Sequence, residues 1–159
     1  MTADNGRAPG FNSLTPYIIV RDVDAALDWY ARAFAAEPGR LLRMPGGGPV
    51  VYAELRVAGS MLMLADADER IATHGPESFG GSPVMLHLYV PDVDAAMARA
   101  VQAGAVEERA VADQFFGDRS GMVKDPFGYV WSLATHKRTL SDEDFYAAWE
   151  RVMGADALS

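Results

Sequence analysis

The chain has 159 residues, half of them apolar and 23% charged, enough to bury a core as one compact domain or two closely paired half-domains. Its net charge of -8 comes from 22 acidic against 14 scattered basic residues, which excludes an electrostatic footprint for nucleic acid and suits an anionic membrane surface poorly. Cysteine is absent, so disulfides, thiolate nucleophiles and thiolate metal ligands are excluded, and a cytoplasmic location is the expectation.

Residues 1–12 are polar, contain Pro9 and Gly10 and have no apolar segment, so they read as a flexible tail and not as a signal peptide. No run approaches the ~20 apolar residues of a membrane helix. From there the chain repeats itself. Val20-Arg-Asp-Val-Asp-Ala-Ala26 returns seventy residues later as Val90-Pro-Asp-Val-Asp-Ala-Ala96, and Gly59 followed by Leu64-Ala65 returns as Gly128 followed by Leu133-Ala134. Self-similarity at this spacing marks a duplicated unit.

The first unit, residues 13–66, opens with a strand over Thr15–Val20. A helix follows, entered through Asp22 and Asp24, whose carboxylates suit exposed amides and the positive end of the helix dipole. Ala25, Ala26, Trp29, Tyr30, Ala33 and Phe34 recur at helical spacing, and Pro38-Gly39 is expected to end the pattern. Strands are predicted over Arg40–Met44, Val50–Val57 and Ser60–Ala65, broken at Gly46-Gly47-Gly48-Pro49 and Ala58-Gly59. The triple glycine lacks a following Lys-Ser/Thr and a helix start, so it reads as a hairpin or flap and not as a phosphate loop. Residues 67–82 form a polar connector with Gly75-Pro76 and Gly80-Gly81.

The second unit, residues 83–136, repeats the order: a strand over Val84–Val90, a helix through Met97 and Val101 to Gly104, then strands over Val106–Ala112, Gly121–Asp125 and Tyr129–Thr135. Residues 137–159 form a helical tail, with Ser141 and Asp144 placed as a capping box and Phe145, Trp149 and Val152 as an apolar stripe. The fold class is therefore α+β, two βαβββ modules and a C-terminal helix.

Alternation along the strands separates two faces. Ile18, Val20, Ala53, Leu55, Val57, Leu62, Leu64, Leu86, Leu88, Val90, Trp131 and Leu133 form an almost purely apolar set, expected under the helices. The opposite set is mixed: Thr15, Tyr17, Tyr52, Glu54, Met61, Met63, Met85, His87, Tyr89 and Ser132 are on it. Methionine, tyrosine and a few polar groups suit a binding cleft. The same face also suits burial in a dimer or ordinary core.

The duplicated pattern, the two Val-x-Asp-Val-Asp-Ala-Ala entries and the closing Asp125-Pro-Phe-Gly-Tyr-Val-Trp-Ser-Leu133 resemble the vicinal-oxygen-chelate superfamily of glyoxalases, bleomycin resistance proteins and dioxygenases. Asp113-Gln-Phe-Phe-Gly-Asp-Arg119 resembles its PhnB-like subgroup. The resemblance implies an open, cup-shaped barrel, a small-molecule ligand inside it, and a homodimer. It also implies metal ligands on the first and fourth strands of each module. Here those positions fall on Thr15, Met63, Met85 and Ser132, none of which suits Zn, Ni, Mn or Fe, so no metal and no other cofactor are expected.

His87 is the leading candidate for proton transfer, with Glu54 as its orienting group or as a base. His87 as a plain wall residue, and an alternative metal site built on His87 and Glu54, stay open beside that reading. Tyr17, Tyr52 and Tyr89 offer rings and hydroxyl donors to a flat ligand. Gln114, Phe115, Phe116 and Arg119 are expected in a loop over the cup mouth, where they serve recognition or close the barrel end. Three functions follow: a metal-free protein that sequesters an aromatic or amphipathic natural product or drug, a metal-independent lyase or isomerase using His87 or Glu54, and a metal-dependent lyase or dioxygenase. The paucity of lysine, Lys124 and Lys137 alone, in an Ala- and Gly-rich chain points to a GC-rich bacterial genome.

Overall fold

The computed structural model describes residues 6–156; the first five residues of the expected N-terminal tail and the last three of the C-terminal tail lie outside them. The first module runs β1 (Tyr17–Val20), α1 (Val23–Phe34), β2 (Glu37–Arg43), β3 (Val50–Val57) and β4 (Ser60–Asp66). The second repeats it as β5 (Met85–Tyr89), α2 (Val93–Gln102), β6 (Val106–Asp113), β7 (Asp118–Lys124) and β8 (Val130–His136), and α3 (Asp142–Asp156) follows. Two four-stranded sheets result, ordered β1-β4-β3-β2 and β5-β8-β7-β6, and among the described residues they do not join into one closed barrel. In each, the first and last strands of the module pair in parallel and the remaining pairs are antiparallel.

Both helices start as the repeated motif predicts. Asp22 and Asp92 accept from the amides of Ala25 and Ala95, satisfying donors that the first turn leaves free. A second device is also duplicated: Asp66 accepts from the Val23 amide at 2.7 Å, and Thr135, sixty-nine residues on, accepts from the Val93 amide at 2.9 Å. The end of α1 differs from expectation. The helix stops at Phe34, where Ala35 turns left-handed with φ 52° and the Ala36 amide closes back on the Tyr30 carbonyl. Pro38 and Gly39 belong to β2, an edge strand that tolerates a missing amide. At Gly39 a Cβ would stand 2.9 Å from the Cβ of Glu54, so glycine makes room there for the facing side chain.

The apolar faces of both sheets, with α1 and α2, form one core. Each large side chain buried there, such as Leu55, Leu64 or Leu133, contributes roughly 1.5–3 kcal/mol. Trp29, Tyr30, Phe34, Phe127 and Trp131 join the modules as an aromatic cluster, with Tyr30 and Trp131 centroids 5.5 Å apart. Trp29 of α1 donates its indole N–H to the Ala103 carbonyl just beyond α2.

The motif Asp125-Pro-Phe-Gly-Tyr129 is the polar centre of this junction. Buried Asp125 accepts from the Tyr30 hydroxyl at 2.6 Å, from the Trp131 indole at 2.9 Å and from the amides of Phe127 and Tyr129. Burial pushes its carboxyl above the usual carboxylate range, and these four donors pull against that rise. Tyr129 reaches the outer edge of β1, donating to the Ile19 carbonyl at 3.0 Å and accepting the Ile19 amide at 3.1 Å. A side chain of the second module thus occupies an edge that would otherwise be open to another strand.

Candidate functional site

Because the apolar faces of the two sheets meet in a shared core, their mixed faces look away from it. On the first sheet the register aligns Tyr17, Met63 and Glu54 in one row. Tyr17 lies across this face, its hydroxyl donating to the Val51 carbonyl and its ring meeting Tyr52 edge-on at 6.4 Å. Glu54 accepts from the Tyr52 hydroxyl at 2.8 Å and, more weakly, from the Arg40 amide at 3.4 Å. Desolvation and then the Glu54 contact raise the Tyr52 phenol above its ordinary pKa.

On the second sheet the matching row is His87, Ser132, Met122 and Arg109. His87 Nδ1 lies 3.0 Å from the Ser132 hydroxyl, and Nε2 has no protein partner among the described residues. The His87 ring meets Tyr89 edge-on at 4.7 Å. Tyr89 donates to Asp118 at 2.9 Å, and the other Asp118 oxygen meets His136 Nδ1 at 2.7 Å. Hydrogen bonding to Asp118, then desolvation, raises the Tyr89 phenol, so at neutral pH it is a fixed donor and not a base. Tyr17, Met85 and Tyr89 remain 48%, 50% and 55% exposed. A cavity of about 450 Å3 opens beside the free edge of β5, lined by Leu14, Pro16, Met61, Met85, His87 and Trp131 among others.

Several expected residues stand elsewhere. Thr15 precedes β1 and its hydroxyl is spent on the Asn12 carbonyl. Consequently Tyr17 and His87, not Thr15 and Met85, share a row with Met63 and Ser132. Residues 113–119 are the end of β6, a four-residue turn that holds Gln114, Phe115 and Phe116, and the start of β7, so Arg119 is a strand residue. Arg119 lies in β7 on the helix side, bound to Asp94 and Asp113 at 2.8 and 3.1 Å. Gln114 braces the turn by donating to the Ala112 and Ser120 carbonyls. Phe115 packs on Phe116 and on Phe145 and Trp149 of α3, so it anchors the last helix. Glu54 and His87 are on different sheets, and no hydrogen bond joins them.

Three residues of these faces escape sequence reasoning. Asp118 and His136, which hold Tyr89, are register partners across β7 and β8, visible only once β7 is known to start at Asp118. Arg109 is hidden by irregular pairing of β6 on either side of it, which defeats simple alternation. For a divalent metal the donor set does not fit: one imidazole stands among Tyr, Met and Ser, and among the described residues no three His, Asp or Glu side chains converge.

Comparison with known proteins agrees with this architecture. The family model of the Glyoxalase/Bleomycin resistance protein/Dioxygenase superfamily matches residues 10–133. An uncharacterized protein of Mycobacterium bovis is 41% identical over 140 residues, covering 86% of this chain and 91% of that one. Among solved structures, a gene product of Arabidopsis thaliana is 31% identical with a TM-score of 0.63, over 78% of this chain and 98% of its own. A PhnB protein from Bacillus cereus, 17% identical, shares the fold with a TM-score of 0.60 over 78% and 99%. The chain belongs to the glyoxalase/bleomycin resistance protein/dioxygenase superfamily.

Proposed function

We propose that this protein binds a small aromatic or amphipathic molecule on its mixed sheet faces without a metal, sequestering it rather than transforming it. The observation that carries this reading is the exposed face of β5, where Met85 and His87, its Nε2 unpartnered, border the cavity and exposed Tyr89 stands against the His87 ring. Apolar groups with a few fixed donors suit capture of a flat ring, and a neutral, anchored Tyr89 suits binding more than proton abstraction. A homodimer belongs to the same reading, since Tyr17, Met85 and Tyr89 stay about half exposed on the mixed faces and apolar patches of this kind favour a partner.

Calorimetric titration of the purified protein with neutral bicyclic aromatics, 1-naphthamide among them, tests it. Saturable binding is expected, weakened about three- to tenfold in Tyr89→Ala, the worth of one aromatic contact. The absence of any binding, together with turnover of a small carbonyl compound, contradicts it. Free His87 Nε2 supports a second reading, a metal-independent lyase or isomerase. There His87→Ala abolishes turnover with the fold intact, whereas in a binder it changes affinity alone.

A further inference from the structure

We infer that the ligand carries a carboxylate and that Arg109 is the residue that selects it. The inference rests on the binding reading above and adds the charge of the ligand. Arg109, Met122, Ser132 and His87 are successive register partners on β6, β7, β8 and β5, so one row crosses the mixed face with a guanidinium at one end and an imidazole at the other. Four strands at ~4.8 Å spacing span about 14 Å, enough for a ring system between two polar ends. Met122 lies under the middle of that span.

The guanidinium has no acid of its own. Its hydrogen bond goes to the Ser120 hydroxyl at 3.2 Å, a neutral acceptor. The nearby carboxylates are engaged: Glu108 pairs with Lys124 at 3.2 Å, and Asp118 is held by Tyr89 and His136. Glu107 is paired with Val123, a core residue, and so stands on the opposite side of the sheet. In a chain of net charge -8, an uncompensated cation at the end of a row that runs over Met122 to a free imidazole nitrogen favours an anion. A carboxylate fits the planar fork of arginine in two parallel hydrogen bonds.

The test compares 1-naphthoate with 1-naphthamide, equal in shape and different in charge, on the intact protein and on Arg109→Gln and Arg109→Lys. Naphthoate is expected to bind about tenfold tighter than naphthamide to the unaltered protein, as one charge-assisted contact provides. In Arg109→Gln that advantage disappears while the melting temperature stays unchanged and naphthamide, which loses only a neutral contact, weakens far less than naphthoate, and Arg109→Lys restores part of the advantage. Equal binding of the two probes, with naphthamide still sensitive to Tyr89→Ala, overturns the carboxylate inference and leaves the binding reading standing. An advantage for naphthoate that survives Arg109→Gln removes Arg109 as its source. Failure of both probes to bind removes the binding reading, and this inference with it.

Discussion

Asp125→Ala is expected to lower the unfolding free energy by about 3–5 kcal/mol, because it strands four buried donors at once. The donors are the Tyr30 hydroxyl, the Trp131 indole and the amides of Phe127 and Tyr129, drawn from both modules. Asp125→Asn is the milder probe, with an expected loss of about 1–3 kcal/mol. Tyr30 can reverse its hydroxyl to accept from the new amide, but the indole N–H of Trp131 cannot accept and is left facing a second donor. Urea melts of the three proteins check this. An Asp125→Ala protein within 1 kcal/mol of the original, roughly one ordinary hydrogen bond, would mean that water replaces the carboxylate.

The same residue sets a pH signature. Since burial raises the Asp125 carboxyl in the folded protein, the folded state holds its proton more tightly than the unfolded chain does. Stability from this group is therefore complete below the unfolded carboxylate value of about 3.9 and is lost as pH rises through the higher folded value. Asp68 and Asp94 act in the opposite sense. Hydrogen bonds from Arg70 and Arg119 lower them, so their contribution is present above the unfolded value and lost as pH falls through the folded one. The difference between the original protein and Asp125→Asn, followed upward from pH 4, isolates the Asp125 contribution and should shrink with rising pH.

Gly117→Ala should cost about 2–4 kcal/mol, for two independent reasons. Gly117 has φ +99°, and a Cβ there would lie 2.1 Å from the Arg138 carbonyl oxygen. The contact is with backbone, so no side-chain rotation relieves it. Its carbonyl also accepts both the Lys137 and Arg138 amides at 3.0 Å, fastening the end of β8 to the turn that presents Phe115 to α3. A lower melting temperature should come with faster amide exchange across Asp142–Asp156, while α1 and α2 stay protected. Unchanged exchange in the last helix would show that Phe115 packing alone holds it.

These two residues also mark how far the sequence is legible. The repeat identifies both modules and both helix entries, because Asp22 and Asp92 act locally on amides three residues away. Face alternation places Leu55, Leu64 and Leu133 in the core for the same reason: period two is a local property. Asp125, by contrast, reads as the end of a strand, and its bond to Tyr30 depends on how two modules pack, which no local pattern encodes. Arg119 reads as loop because the flanking strands are expected to end at Ala112 and resume at Gly121, yet the turn is only four residues long and β7 begins at Asp118. The supposed partnership of Glu54 and His87 fails similarly. Each is correctly given to a mixed face, but the faces belong to separate sheets turned away from one core.

Metal content and ligand binding, measured on one sample, decide whether this protein holds its ligand without a metal. The protein is incubated with Zn, Mn or Ni ions, desalted, weighed by native mass spectrometry and titrated with 1-naphthamide with and without EDTA. A metal-free binding protein retains no stoichiometric metal, and its affinity for the probe is the same with and without chelator. One firmly held ion per chain, lost in His87→Ala or Glu54→Gln, with probe binding abolished by EDTA, would contradict it.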